Sequence, residues 1–444
     1  MRKLQKKMRK TASVLLCLVW CAVLLCACAG DAPAFAPADD SGADAGGNAG
    51  AAQDVVELTF WTFPVGNWGS PTAVSNLLTA FYREYPNIRI TVEYLSYENG
   101  DAQIAAAVAE GTAPDLVLEG PERLVADWGE KGWLADLSDL WQSAQAEGIY
   151  ENVRAACRNG AGAYYEFPIC MSAHCMAINY DLFREAGALQ YLDEEHHTWT
   201  TEGFIQAVHA LEACGQESAG IVYCSGQSGD QGTRALVTNL YGGTFTDAAH
   251  TVYTVDSAEN IRALQLLYDL ESIAFEPEFT AADAIGRFMQ KETAMCFCWN
   301  ASMEIQQTIN STDLDFEIFP MAFPTSEAAP QLEGGIWGLG VFDNGNEERI
   351  EAAKTFIRCL TESDAMYTRA VQTSSYWPVR DLDGIYENDR LMMEYSIFMP
   401  YMGDYDQITP GWADARTAWW KLLARVGEGE DIAQAVRGFP AEDA

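Results

Sequence analysis

Positive charge is scarce in this chain. Its 444 residues carry 27 Lys and Arg against 64 Asp and Glu, a formal net charge of −37. Residues 1–27 hold six of the basic side chains and none of the acidic ones, so the remainder has 21 against 64 and a net charge of −43. A surface of that sign repels nucleic acid and the anionic face of a membrane, which excludes both as partners. Histidine is rarer still, five in all, and the pair His196-His197 follows Glu194-Glu195 in a stretch that reads as an exposed polar loop. No Cys-x-x-Cys spacing is present, and no P-loop, G-x-S-x-G or H-E-x-x-H motif. Zinc-ribbon, thioredoxin-like, nucleotide-hydrolysing and common hydrolase chemistries therefore lack their residues, and neither a metal nor a cofactor is implied.

Long apolar runs are also missing, with one exception. Val14 to Ala27 is almost continuously apolar and follows a basic stretch of Arg2, Lys3, Lys6, Lys7, Arg9 and Lys10. Its 14 residues fall short of the roughly 20 that span a bilayer, and the order is that of a secretory signal peptide. The run ends Leu25-Cys26-Ala27-Cys28, which resembles the bacterial lipobox with Cys28 as the acylated first mature residue. Residues 28–53 are then dominated by Ala, Gly, Pro and Asp, with Phe35 as the one large apolar side chain. Such a segment cannot offset its ordering entropy by burial, so a flexible tether is expected between an anchor on the outer face of the cell membrane and the folded body.

That body, residues 54–444, is too long for one core and suits two domains. It opens with alternating strand and helix signals. Val55–Phe60 is β-rich, Ser70-Pro71 starts a helix through Val74, Leu77, Leu78 and Phe81, and Pro86-Asn87 stops it. Ile88, Ile90, Val92 and Tyr94 alternate with polar residues at strand period, Asp101 caps a second helix ended by Gly111, and Leu116–Leu118 is a third strand. Strands alternating with helices predict a parallel sheet, and ligands bind beyond the carboxyl ends of such strands. Two loops lie there: Trp61 to Trp68, with Phe63 inside it, and Glu119 to Arg123. Further helices are expected over 181–186, 258–270, 347–360 and 412–426, with Thr198–Glu202 starting another. Eight cysteines beyond Cys28 lie mostly in apolar runs and are expected as buried free thiols.

Several segments resemble the extracellular solute-binding proteins of family 1, which include the maltose-binding proteins. They are Gly111-Thr-Ala-Pro-Asp-Leu-Val117, Phe167-Pro168 leading to Ile178-Asn-Tyr-Asp-Leu-Phe183, Ala186-Gly187, Thr198-Trp199, Lys291-Glu-Thr-Ala-Met295, Gly334-Gly-Ile-Trp-Gly338 and Ala352-Ala-Lys-Thr-Phe-Ile357. The resemblance covers essentially all of 54–444. It implies an α/β type II periplasmic-binding-protein fold of two lobes around a central cleft, here 54–168 with 331–364 and 169–330 with 365–444. It also implies a monomer that delivers its ligand to the permease subunits of an ABC importer. Glu122 and Arg123 fall on the family's acid and arginine, and Trp412 with Arg416 falls on its sugar-stacking Trp-x-x-x-Arg helix. Trp299 lies two positions out of register with the other stacking tryptophan. Glu119 replaces an expected aromatic, which argues against maltose itself.

A sugar presents an apolar C–H face and a rim of hydroxyls, suited to flat aromatics and to carboxylate, amide and guanidinium groups. Trp61, Phe63, Trp68, Trp299, Trp337, Tyr376 and Trp412 are candidates for the face. Glu119, Glu122, Arg123, Gln227, Asp230 and Arg416 are candidates for the rim. A carbohydrate, and an oligosaccharide in particular, is the expected ligand, bound without chemistry. The aromatic-to-Glu119 change keeps a polyamine or peptide open. A surface adhesin using the same fold is a further alternative. A glycosidase would need two carboxylates flanking the scissile bond, and Glu119 and Glu122 share one loop.

Overall fold

The computed structural model describes residues 55–440 apart from 98, 227–228 and 311–313. The signal peptide, Cys28, the tether and Gln227 lie outside the described residues. Two sheets and a strand pair form the frame. The first sheet has the order β11-β4-β10-β3-β1-β2. Its strands are β1 (Val56–Thr62), β2 (Ile88–Tyr94), β3 (Leu116–Glu119), β4 (Phe167–Ala173), β10 (Gly334–Val341) and β11 (Trp377–Pro378). The three sequence-legible strands pair in parallel, β2 and β3 flanking β1, while β10 is antiparallel to both β3 and β4. β3 is buried along its whole length, as a central parallel strand covered on both faces must be.

The second sheet has β5 (Cys175–Asn179) between β8 (Met295–Trp299) and β9 (Ile318–Met321), and beside it β6 (Gly220–Ser225) pairs in parallel with β7 (Ile273–Thr280). One run of sequence therefore makes two strands in two sheets. β4 and β5 are separated only by His174, where the chain passes from one core to the other. It crosses again between Leu332 and Ile336, and around Trp377, whose ring lies in the second core while Tyr376 and Val379 belong to the first.

Helix starts follow the local chemistry in most places. Pro71 opens the helix Pro71–Glu84, Thr200 accepts the Gly203 amide at 3.0 Å before Thr201–Ala213, and Asn179 accepts the Leu182 amide at 3.1 Å before Tyr180–Glu185. Asp101 is different. It sits in the first turn of Gly100–Glu110 rather than at its cap, and its carboxylate turns to Arg123. Gly111 closes that helix at φ 70°, a left-handed position that glycine adopts without strain.

The hydrophobic clusters place Asp364–Ser374 differently from the expected division at 364/365. Its Met366, Tyr367, Ala370 and Val371 pack into the core of the first lobe with Phe356 and Leu360. A helix following Glu347–Glu362 after a single residue stays where its partner helix is, and beyond it the chain alternates between the cores, with Trp377 in the second and Val379 and Tyr405 in the first. Seven of the eight cysteines in the described residues are buried, Cys214 is exposed, and all eight are free thiols. Among the described residues, no helix is long and apolar enough to cross a membrane and no group of His, Cys, Asp and Glu is arranged to hold a metal.

Candidate ligand-binding cleft

The carboxyl ends of β1, β2 and β3 gather one wall of the site. Phe63, just past β1, stacks on Tyr97, just past β2, with ring centroids 5.2 Å apart and 25° between planes. The Arg123 guanidinium lies over both rings at 5.4 and 5.8 Å. Its Nε and Nη2 hold Asp101 at 2.6 and 2.9 Å, and Nη1 holds Glu119 at 2.6 Å with Glu122 at 3.6 Å. One arginine thus serves three carboxylates. Tyr405 donates its hydroxyl to Glu122 at 2.7 Å. Glu122 and Arg123 each keep about 14% side-chain exposure, enough to meet a solute.

The second lobe supplies the opposing wall from the helix Trp412–Gly427. Arg416 binds Asp230 through Nε at 3.0 Å and Nη2 at 2.8 Å, and Asp230 is also paired with Arg234. Arg234 in turn reaches Glu333. Its guanidinium covers one face of Trp412 at 4.6 Å, and Phe245 meets that indole edge-on at 5.6 Å. The Trp412 Nε1 is buried without a hydrogen-bond acceptor. Between the walls lies a pocket of about 450 Å³ lined by Asp101, Glu122 and Arg123 on one side and by Trp412, Asp414 and Arg416 on the other. That volume is within the range of small-molecule sites.

Burial sets the electrostatics. It pushes the Glu119 carboxyl up to about 8, more than the facing Arg123 brings it down. Glu166, wholly enclosed at the start of β4, is held well above the ordinary carboxylate range by burial, with Glu122 and Glu119 adding to it. Burial lowers Arg416 from its usual value, and the Arg123 charge facing it acts in the same direction. Glu333 rises to about 8 by burial against the pull of Arg234.

The expected residues divide cleanly. Glu119, Glu122, Arg123, Phe63, Trp412, Arg416 and Asp230 are brought into this assembly. Asp230 enters as an enclosed anchor for two arginines rather than as a free ligand group, and Phe63, wholly buried in the first core, enters as the ring beneath Arg123 rather than as a ligand contact. Trp337 and Tyr376 stack on each other at 4.7 Å and 18°, where Tyr376 neighbours Gly66 of the first lobe and Ser302 of the second. Trp61 is half-buried against the first core. Two indoles are core residues instead. Trp68 has no exposure and meets Phe60 edge-on at 6.1 Å, because the loop after β1 folds its apolar side chains back under the helix that follows. Trp299, equally enclosed, donates to the Tyr395 hydroxyl at 2.7 Å and packs on Phe288 at 5.6 Å, as its place at the end of a fully buried strand dictates.

Four residues at the site carried no functional reading in the sequence. Tyr97 was discoverable, since it follows β2 as Phe63 follows β1. Asp101 has the sequence position of a helix cap. Glu166 and Tyr405 lie in segments without a motif, and only folding brings them to Glu122.

The model of the bacterial extracellular solute-binding protein family matches residues 66–367. No curated protein matches the sequence. Solved structures share the fold. An ABC substrate-binding protein from Listeria monocytogenes in complex with cycloalternan has a TM-score of 0.66 at 17% identity, covering 86% of this chain and 96% of that one. The maltose/maltodextrin-binding domain MalE from Bdellovibrio bacteriovorus bound to maltotriose gives 0.62 at 18%, with 86% and 96% covered. UgpB from Mycobacterium tuberculosis in complex with glycerophosphocholine gives 0.69 at 17%, with 86% and 95% covered.

Proposed function

Because the chain belongs to the bacterial extracellular solute-binding protein family, we propose that it captures a carbohydrate in the inter-lobe cleft and delivers it to the permease of an ABC importer, tethered to the outer face of the cell membrane through acylated Cys28. The observation that carries this reading is the pocket itself. First-lobe Glu122 and Arg123 face second-lobe Trp412 and Arg416 across about 450 Å³. A solute touching both walls favours the closed arrangement by its differential affinity for it, which gives a permease a liganded shape to recognise. Aromatic and charged groups converge on the pocket from both walls, and the family is one of solute-binding proteins, so the solute is bound and not cleaved. The cycloalternan- and maltotriose-bound relatives of the same fold support a saccharide as the ligand class.

The test is a thermal-shift screen of the protein against mono- and oligosaccharides, polyamines and peptides. A ligand at 100 times its dissociation constant adds about 2.7 kcal/mol to stability. Saccharide stabilisation that disappears in Trp412→Ala supports the site. Stabilisation by peptides alone, or turnover of a glycoside, overturns the proposal.

A further inference from the structure

Next to Glu122, which lines the pocket, the enclosed carboxyls of Glu119 and Glu166 outnumber the cations that answer them. Glu119, Glu122 and Glu166 converge there, and the Arg123 guanidinium that serves the first two is also gripped by Asp101. Glu119 gives Oε1 to Arg123, but its Oε2 is buried with no partner. Glu166 is fully buried, and neither of its carboxyl oxygens has a partner. Its direction is fixed by Gly338. A Cβ on that glycine would meet Glu166 Oε1 at 2.7 Å, and Gly338 is the register partner of Glu119 on the neighbouring strand. Directly opposed residues project on the same face of a sheet. The Glu166 carboxyl therefore lies over the bare backbone of Gly338 beside Glu119, at the level where β3 ends.

An enclosed polar group without a partner is costly, and proteins retain few of them. Three acceptor oxygens are open here: Glu119 Oε2 and both oxygens of Glu166. A sugar hydroxyl donates one hydrogen and brings no charge. A protonated amino group donates three and brings the charge that the carboxyl cluster lacks. We propose that this enclosed carboxyl cluster, which Glu122 joins to the pocket, is a subsite for a protonated amino group, so that the solute is an amine-bearing saccharide rather than a neutral one. This rests on the carbohydrate reading above and narrows it.

Entry of a cation beside Glu166 also has a proton consequence. The groups facing that carboxyl are Glu119, Glu122, Tyr405, Cys157 and Cys170, none of them cationic at neutral pH. Burial raises that carboxyl well above the ordinary carboxylate range, and an ammonium ion beside it acts the other way, favouring the ionised form. Whatever proton Glu166 holds in the unliganded protein is then released to the buffer as the amine binds.

Isothermal titration of the protein with glucosamine and its β-linked oligomers, their N-acetylated forms and neutral gluco-oligosaccharides tests this. The free amines are expected to bind about ten-fold tighter or better than the acetylated forms. Their observed enthalpy should change with the ionisation enthalpy of the buffer. Glu166→Gln, isosteric with the protonated acid, should fold and bind yet lose both the preference and the proton release. Equal or tighter binding of neutral sugars overturns the amine subsite and leaves the carbohydrate reading standing. Binding of no saccharide at all overturns the reading beneath it. Binding of spermidine but no saccharide keeps an ammonium subsite and overturns the carbohydrate assignment. An amine preference retained in Glu166→Gln removes Glu166 from the proposal.

Discussion

Arg416 grips Asp230 with two nitrogens, at 3.0 and 2.8 Å, across 186 positions of sequence. The pair fastens the helix carrying Trp412 to the start of the helix Asp230–Tyr241, and Arg234 from that second helix then covers the indole. Trp412 is thus oriented by a charged clamp before any solute arrives.

Arg416→Lys keeps the charge but loses the fork geometry. Asp230 retains Arg234, so the expected cost is about 1–3 kcal/mol rather than that of a stranded buried charge. Urea denaturation should show this loss together with weaker saccharide binding. Unchanged affinity would place Arg416 outside the site.

Aromatic truncations should separate binding from folding. Trp412→Ala is expected to weaken ligand affinity by more than about ten-fold. Trp68→Ala and Trp299→Ala each remove an enclosed core ring and should cost about 3–5 kcal/mol of stability. Affinity measured well below their melting temperatures should stay near that of the parent. A large affinity loss in Trp299→Ala with stability intact would return that indole to the cleft.

The unliganded protein should lose stability as the pH climbs from about 6.5 to 8. Burial holds Glu119 and Glu333 up to about 8, whereas an unfolded glutamate titrates near 4.3. Between those values the folded chain keeps protons that the unfolded chain has shed, so raising the pH favours unfolding. His174 works the other way at lower pH. Burial and Arg234 bring it down to about 4, so it weakens the fold only as the pH falls below the unfolded value of about 6.5. Above that value the carboxyl effect stands alone. Melting temperatures across the window check it, and Glu119→Gln should flatten the slope. A melting temperature that rises with pH would contradict the assignment.

Thiol reactivity gives an independent check on the cores. Of the eight cysteines in the described residues, Cys214 should react with a thiol reagent in the folded protein. The other seven should react only after unfolding. Rapid native labelling of Cys296 or Cys298 would mean that the second core opens.

Cys28→Ser removes the acceptor sulfur for acylation. The variant should leave the membrane fraction for the medium and lose incorporation of labelled fatty acid. Retention on the membrane would locate the anchor elsewhere.

Period and punctuation made the first lobe readable. Ile88–Tyr94 matches its strand in full because exposed Arg89 and Thr91 alternate with buried Ile88 and Ile90, and the loop after β3 announced Glu119, Glu122 and Arg123. The rest depends on long-range packing. Phe167–Ile178 reads as one apolar run, and nothing local reveals that His174 divides it between two sheets. Glu166 eluded the strand-end rule because β4 begins level with the end of β3 and then leaves for the second lobe, so a functional group stands at the start of a strand. Trp68 and Trp299 have the composition of ligand contacts, and only tertiary burial tells an indole in a core from one in a cleft.

The ribbon of nine residues from Glu166 to His174 begins beside Glu119 and ends where the backbone changes sheets. Grip and joint therefore share one stretch of covalent chain, with no intervening side-chain relay. A guest seated against that carboxyl pulls directly on the strap linking the two halves, so occupancy and posture are reported through the main chain itself.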